Sequence, residues 1–290
     1  MPIRLMHSSL QASSTTVISA LTLALQYKYM EQAFYTRGYA TFNMTSGTSS
    51  DKFTAAEDGA VSLLRAHETA HVAVLAAAIG AGAPPAPAAS SYDWTGGSGA
   101  GNGPFDQSMT TRSEFFKVAQ LLEDTGVRAL KGQLANLFGA PELTPFVQMH
   151  STEGRHAAMV RMFRTTTGMP FTSYPQGSSI PPWPTSGTSI GPLVGNSFTT
   201  VRADSGKTQR EIATLAYGPA GTPPPTYGAP PGKSVGEDNV IESSSFKTDA
   251  WVVNKSYPYA LDIAYAYAFD EPMDSVRTLE FAAYFGVTAG

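Results

Sequence analysis

Two Glu-x-x-His pairs, Glu68/His71 and Glu153/His156, each set a carboxylate and an imidazole three residues apart. On an α-helix that spacing puts both groups side by side on one face. Carboxylates bridge and neutralise divalent cations, and neutral imidazoles suit iron, manganese or zinc. Two such helices facing each other, with one further Glu from each of two more helices, make a four-carboxylate, two-histidine box that holds two iron or manganese ions. A lone Glu-x-x-His is more often a solvated pair or a hydrogen-bonded core histidine. Two of them, each near the middle of a long apolar-periodic segment, point instead to metal.

The same residues offer a rival chemistry. His67-Glu68-Thr69-Ala70-His71 spells the HExxH of zinc peptidases, in which both His ligate and the Glu acts as base. No third His follows at the metzincin spacing, and the next Glu is Glu114, beyond a long loop. Helical geometry also turns His67 about 100° away from Glu68. The peptidase reading is therefore set aside.

Four helices must position these groups. Residues 14–37 carry apolar side chains at Ile18, Leu21, Leu25 and Tyr29 with helical period, with Gly38 as the expected terminator. Thr54-x-x-Glu57 is a capping box opening a second helix to Ile79, closed by Gly80. From Ala81 to Thr110 the chain holds Pro84, Pro85, Pro87 and GGSGAGNGP, which no regular element accommodates. This glycine run lacks the strand, helix and Lys-Ser/Thr of a phosphate loop, so it reads as a plain loop. Thr111-x-x-Glu114 is a second capping box, for a helix expected through Phe138, and Pro141 suits the first position of a fourth helix. Short links force antiparallel hairpins, whereas the roughly thirty-residue link between helices two and three can span a bundle. The order is hairpin, long crossover, hairpin.

Composition narrows the function classes. With 290 residues the chain can bury a substantial core, and a net charge of −4, from 19 basic and 23 acidic residues, leaves no basic patch for nucleic acid. No cysteine is present, which excludes disulfides, thiolate metal sites and a Cys nucleophile. Only 14% of residues are charged, while Gly numbers 27 and Pro 21, a weak sign of an exported or cell-envelope protein. Residues 1–14 show no signal-peptide pattern, and the apolar stretch from Val72 to Ala83 is too short to span a membrane. Asn43 and Asn254 head glycosylation sequons of a kind common by chance. Residues 166–290, rich in Pro, Ser and Thr yet containing Trp183 and Trp251, read as a loop-rich extension packed on a bundle of residues 1–165. Short helices are expected there near 259–269 and 275–285.

The segments LTLALQYKYMEQAFYTRG, AHETAHVAVLAAAIGA, YDWTGGSGAGNGPF, VAQLLEDTGVRALKGQ and STEGRHAAMVRMF resemble, in order and spacing, the ferritin-like domain family that includes plant desiccation-related proteins and bacterial and fungal relatives. GEDN at 236–239 and AFDEP at 268–272 resemble its C-terminal extension. The resemblance implies a mainly α, four-helix bundle with a carboxylate-bridged metal centre of Fe or Mn, holding one or two ions. Position by position it implies Glu68 and His71 on helix two, Glu123 on helix three, Glu153 and His156 on helix four, and Glu31 on helix one. Helix one departs from the family's Leu-Glu-x-x-Glu, because Lys28 stands where the first glutamate would be. An ammonium there competes with a cation and could take the place of one metal, or of all metal. Asp124, about 100° from Glu123, is expected at the surface or in a local hydrogen bond, and Tyr27, Tyr29 and Tyr35 as core and interface aromatics.

The expected function is a stress-protective or redox-active metal protein, a dinuclear oxidoreductase if both ions bind. The alternative is a structural bundle whose metal box has decayed. A homo-oligomer, and a protein partner met through the extension, are the associations this reading admits.

Overall fold

The computed structural model describes residues 13–164, 203–209, 211–212, 273 and 275–287. Among them the elements with defined ends are five α-helices and three short 3₁₀ turns; residues 209 and 211–212 are also helical, and there is no strand. The long helices are α1 (Ser14–Phe42), α2 (Ala55–Ile79), α3 (Arg112–Gln133) and α4 (Leu143–Arg164), followed by the shorter α5 (Ser275–Ala283). Helices α1 and α2 form one hairpin, α3 and α4 the other, and α1 packs on α3 between them. The crossover from Gly80 to Thr111 joins the hairpins.

Local chemistry sets most helix ends. Thr54 accepts from the Glu57 backbone N–H and Glu57 returns a bond to the Thr54 N–H, so the capping box at α2 closes on both sides. Gly80 ends that helix at φ 75°, a left-handed value open to glycine. Thr111 caps α3 by accepting from the Glu114 N–H. Helix α3 ends earlier than the expected Phe138, passing at Leu134–Leu137 into a 3₁₀ turn, and Pro141 lies in the turn before α4.

Helix α1 runs past Gly38 to Phe42. Asn43 stops it instead, its side-chain amide donating to the Tyr39 carbonyl at 2.8 Å while its Oδ1 accepts from the Ser46 N–H at 2.7 Å. The sequon asparagine is thus a buried cap. Gly38 is needed for packing, since a β-carbon there would overlap the Phe115 ring of α3.

Among the described residues the core has two apolar clusters. One is aromatic, with Phe34, Phe42, Phe53, Phe115 and Phe116 joined by Phe105, Phe281 and Phe285. The other is mainly aliphatic, with Leu21, Leu25, Leu75, Leu130, Phe146 and Met149. Along each long helix the two clusters use opposite ends, and the middle turn carries charge: Lys28 and Glu31 on α1, Glu68 on α2, Glu123 on α3, Glu153 and His156 on α4, all buried.

The crossover and the C-terminal segment brace the aromatic end. Asp93 accepts backbone N–H bonds from Thr95, Gly99 and Gly101, folding the glycine run around one carboxylate. Its own N–H donates to the Phe285 carbonyl at 3.0 Å. Met273 donates its N–H to the Arg128 carbonyl at 2.9 Å, and Gly132 leaves room for the Met273 backbone. The expected helix near 275–285 is α5. The one near 259–269, with the segments 236–239 and 268–272, Asn254, Trp183 and Trp251, lies outside the described residues.

Candidate metal centre

The helix geometry brings all six expected residues, Glu31, Glu68, His71, Glu123, Glu153 and His156, into the charged layer. Their oxygens and nitrogens are not equivalent. Lys28 points inward, its Nζ 2.5 Å from Glu31 Oε2, 2.5 Å from Glu153 Oε2 and 3.2 Å from Glu68 Oε2. On the other side His156 Nδ1 lies 3.1 Å from Glu68 Oε1, 3.4 Å from Glu123 Oε2 and 3.9 Å from Glu153 Oε1. His71 Nδ1 stands 3.0 Å from Glu153 Oε1 and 3.3 Å from Glu68 Oε2, at the less buried edge of the layer. Among the described residues, Glu68, Glu123, Glu153 and His156 each offer a ligand atom within 4.8 Å of the others'.

These atoms satisfy one another only in part. Glu31 Oε1, Glu68 Oε1, Glu123 Oε2 and His156 Nδ1 are buried without a well-formed hydrogen bond, while the Glu153 oxygens are met by Lys28 Nζ at 2.5 Å and His71 Nδ1 at 3.0 Å. Buried polar groups are normally fully bonded, so this convergent set could hold a positive ion. The donor set of carboxylates and imidazole is that of iron, manganese or zinc. Gly126, one turn after Glu123, widens the site, since a β-carbon there would come within 2.8 Å of Glu31 Oε1.

The electrostatics follow from carboxylates outnumbering cations. Burial alone would lower the Lys28 pKa, but Glu153, Glu31 and Glu68 override it and hold the ammonium well above its usual value. Burial likewise would raise Glu68, yet Lys28 and the two histidines hold it well below the carboxylate range. Glu153 is lowered too, against burial and the Glu68 charge, by Lys28 and His71. Glu31 is raised well above normal by burial, which Lys28 only partly opposes. Burial lifts Glu123 to about 7 despite His156. His156, which burial would lower, is lifted to about 10 by Glu123 and Glu68. Tyr35 donates its hydroxyl to Glu123 Oε1 at 2.5 Å and Tyr27 to the Leu122 carbonyl at 2.8 Å, so both are core aromatics with a defined polar end. Tyr29 donates to the Pro84 carbonyl, tying α1 to the crossover.

One placement differs from expectation, and one brings a contact that was not expected. Asp124 is fully buried and paired through both oxygens with the equally buried Arg161 of α4, rather than lying at the surface. The rotation from Glu123 carries it to the α3–α4 seam, not to solvent. His67 does point away from the carboxylates, yet its Nδ1 meets His156 Nε2 at 2.9 Å with the rings stacked. It touches a candidate ligand from behind instead of joining the donor set, the reverse of its part in a peptidase. Neither contact had a local signal in the sequence beyond the residue types.

The ferritin-like domain model matches residues 16–166, more than half of the chain. The chain belongs to the ferritin-like domain family. The matched span covers all four long helices and every residue of the charged layer. Curated proteins returned no match. No helix among the described residues of this ferritin-like protein is long and apolar enough to cross a membrane.

Proposed function

We propose that this ferritin-like protein binds iron or manganese in the charged layer and serves a redox or protective role under oxidative or drying stress. The observation that carries the reading is the buried quartet Glu68, Glu123, Glu153 and His156, whose ligand atoms lie within 4.8 Å of one another. An iron or manganese ion held there supplies one-electron chemistry towards oxygen or peroxide. The protein's own part is to hold and exclude. Tyr35 fixes Glu123 by its hydroxyl, and the contact between His67 Nδ1 and His156 Nε2 leaves His156 Nδ1 facing the carboxylates. The two apolar clusters shut bulk water out above and below, and His71, 12% exposed, lies at the less buried edge of the layer.

The competing reading is a structural bundle without metal. The inward Lys28, which already neutralises part of the layer, is the observation in its favour. Metal analysis by inductively coupled plasma mass spectrometry decides between them, on protein purified without chelator and reloaded with Fe(II) or Mn(II). Stoichiometric metal, lost in a Glu68→Ala/Glu153→Ala double variant, is the expected result and justifies peroxide and oxygen assays. Metal no higher than in the variant leaves the structural bundle.

A further inference from the structure

We infer that the centre takes a single divalent cation, with the Lys28 ammonium standing permanently in the place of a second; this rests on the metal-binding reading above. The geometry divides the layer into two halves that share two carboxylates. Glu68 and Glu153 each turn Oε2 toward Lys28, at 3.2 and 2.5 Å, and Oε1 toward His156 Nδ1, at 3.1 and 3.9 Å. That is how bridging carboxylates face two cations, one oxygen to each. The outer carboxylates follow the same division. Glu31 belongs to the Lys28 half, at 2.5 Å from Nζ, and Glu123 to the His156 half.

The His156 half holds the four groups whose ligand atoms converge within 4.8 Å, Glu68, Glu123, Glu153 and His156. In the other half Lys28 contacts one oxygen from each of three glutamates, and Glu31 Oε1 is left there without a bond. First-row cations hold oxygen at roughly 2.0–2.2 Å. An ammonium at hydrogen-bond distance from the same three carboxylates fills that volume and repels a dication from it. One divalent ion and one ammonium together nearly balance the four carboxylates; a second dication would leave the layer net positive. Glu31 is therefore held by Lys28, 2.5 Å from its Nζ, and is not a metal ligand.

The test is Mn(II) stoichiometry by equilibrium dialysis, with the electron paramagnetic resonance spectrum of the loaded protein as a readout independent of activity. Wild type is expected to bind one ion per chain with the hyperfine sextet of an isolated Mn(II). Lys28→Met is expected to bind two and to show the spectrum of a coupled pair. Glu31→Gln should keep one ion, while Glu123→Gln should weaken binding at least tenfold. Two ions in wild type, a folded Lys28→Met that stays at one, or loss of the ion in Glu31→Gln would each overturn the role given to Lys28 while leaving the metal reading intact. No ion in wild type overturns the metal reading itself. If Lys28→Met fails to fold, the wild-type count and the Glu31→Gln count still decide.

Discussion

Glu123 and His156 hold protons in the fold that they would release in an unfolded chain at the same pH. Unfolded, they titrate at about 4.3 and about 6.5; folded, at about 7 and about 10. Both values are raised, so each group's contribution is complete below its unfolded pKa and is lost as pH climbs through its folded one. The metal-free protein should therefore melt progressively lower between pH 7 and pH 10, and His156→Gln should flatten that slope. Circular dichroism melts in chelator across this range check it, and a midpoint constant or rising with pH would refute it. Metal binding must displace the same protons, so affinity should rise over the same window. At this scale the ligand types were legible in the sequence because Glu-x-x-His is a local pattern that any helix presents on one face. Lys28 was legible as a departure from the family pattern, though only the fold shows it turned inward onto three carboxylates. The His67–His156 and Asp124–Arg161 contacts were not, because a rotation of about 100° on a helix says what a side chain leaves, and the neighbouring helix decides what it meets.

Helix ends were read well wherever a side chain satisfies its own backbone, as Thr54 does with Glu57, and poorly where packing overrides a local signal. Gly38 shows why. Glycine after an apolar run is a common stop, yet here α1 continues for another turn because Phe115 needs the space a side chain would fill. The Phe115 ring stacks on Phe34 with centroids 4.7 Å apart and planes within 3°, and also touches Phe42, Phe53 and Phe116. It has no free side to move toward. Alanine in a helix interior gains about 0.5–1 kcal/mol over glycine, whereas forcing a methyl into a packed core costs about 1–3 kcal/mol. Gly38→Ala should thus destabilise by on the order of 1–2 kcal/mol, the opposite of what helix propensity alone gives. Urea unfolding measures it, and a stabilised variant would show that the aromatic cluster yields.

Across the four long helices the topology followed from loop lengths, since of the three links that join them only that from α2 to α3 is long enough to cross the bundle. The return of the C-terminal segment was not legible, because Met273 against Gly132 and Phe285 against Asp93 join residues far apart in sequence with no local pattern to announce them. The larger consequence of the architecture is the sandwich of a charged layer between an aromatic and an aliphatic cluster, with all four long helices contributing to all three. Burying a charge costs several kcal/mol unless it is paired, and here four carboxylates face one ammonium and two imidazoles. A cation that completes the pairing binds the folded chain and not the unfolded one, so it should raise stability by RT ln(1 + [L]/Kd), about 4 kcal/mol at a thousandfold excess over Kd. For a cooperative unit of this size that corresponds to a rise in Tm on the order of 10 °C. The layer joins both clusters, so helix loss in the far ultraviolet and tertiary loss in the near ultraviolet should shift together. Equal midpoints with and without Mn(II), or a shift that persists in Glu68→Ala/Glu153→Ala, would mean that the charged layer does not bind the ion in the folded state.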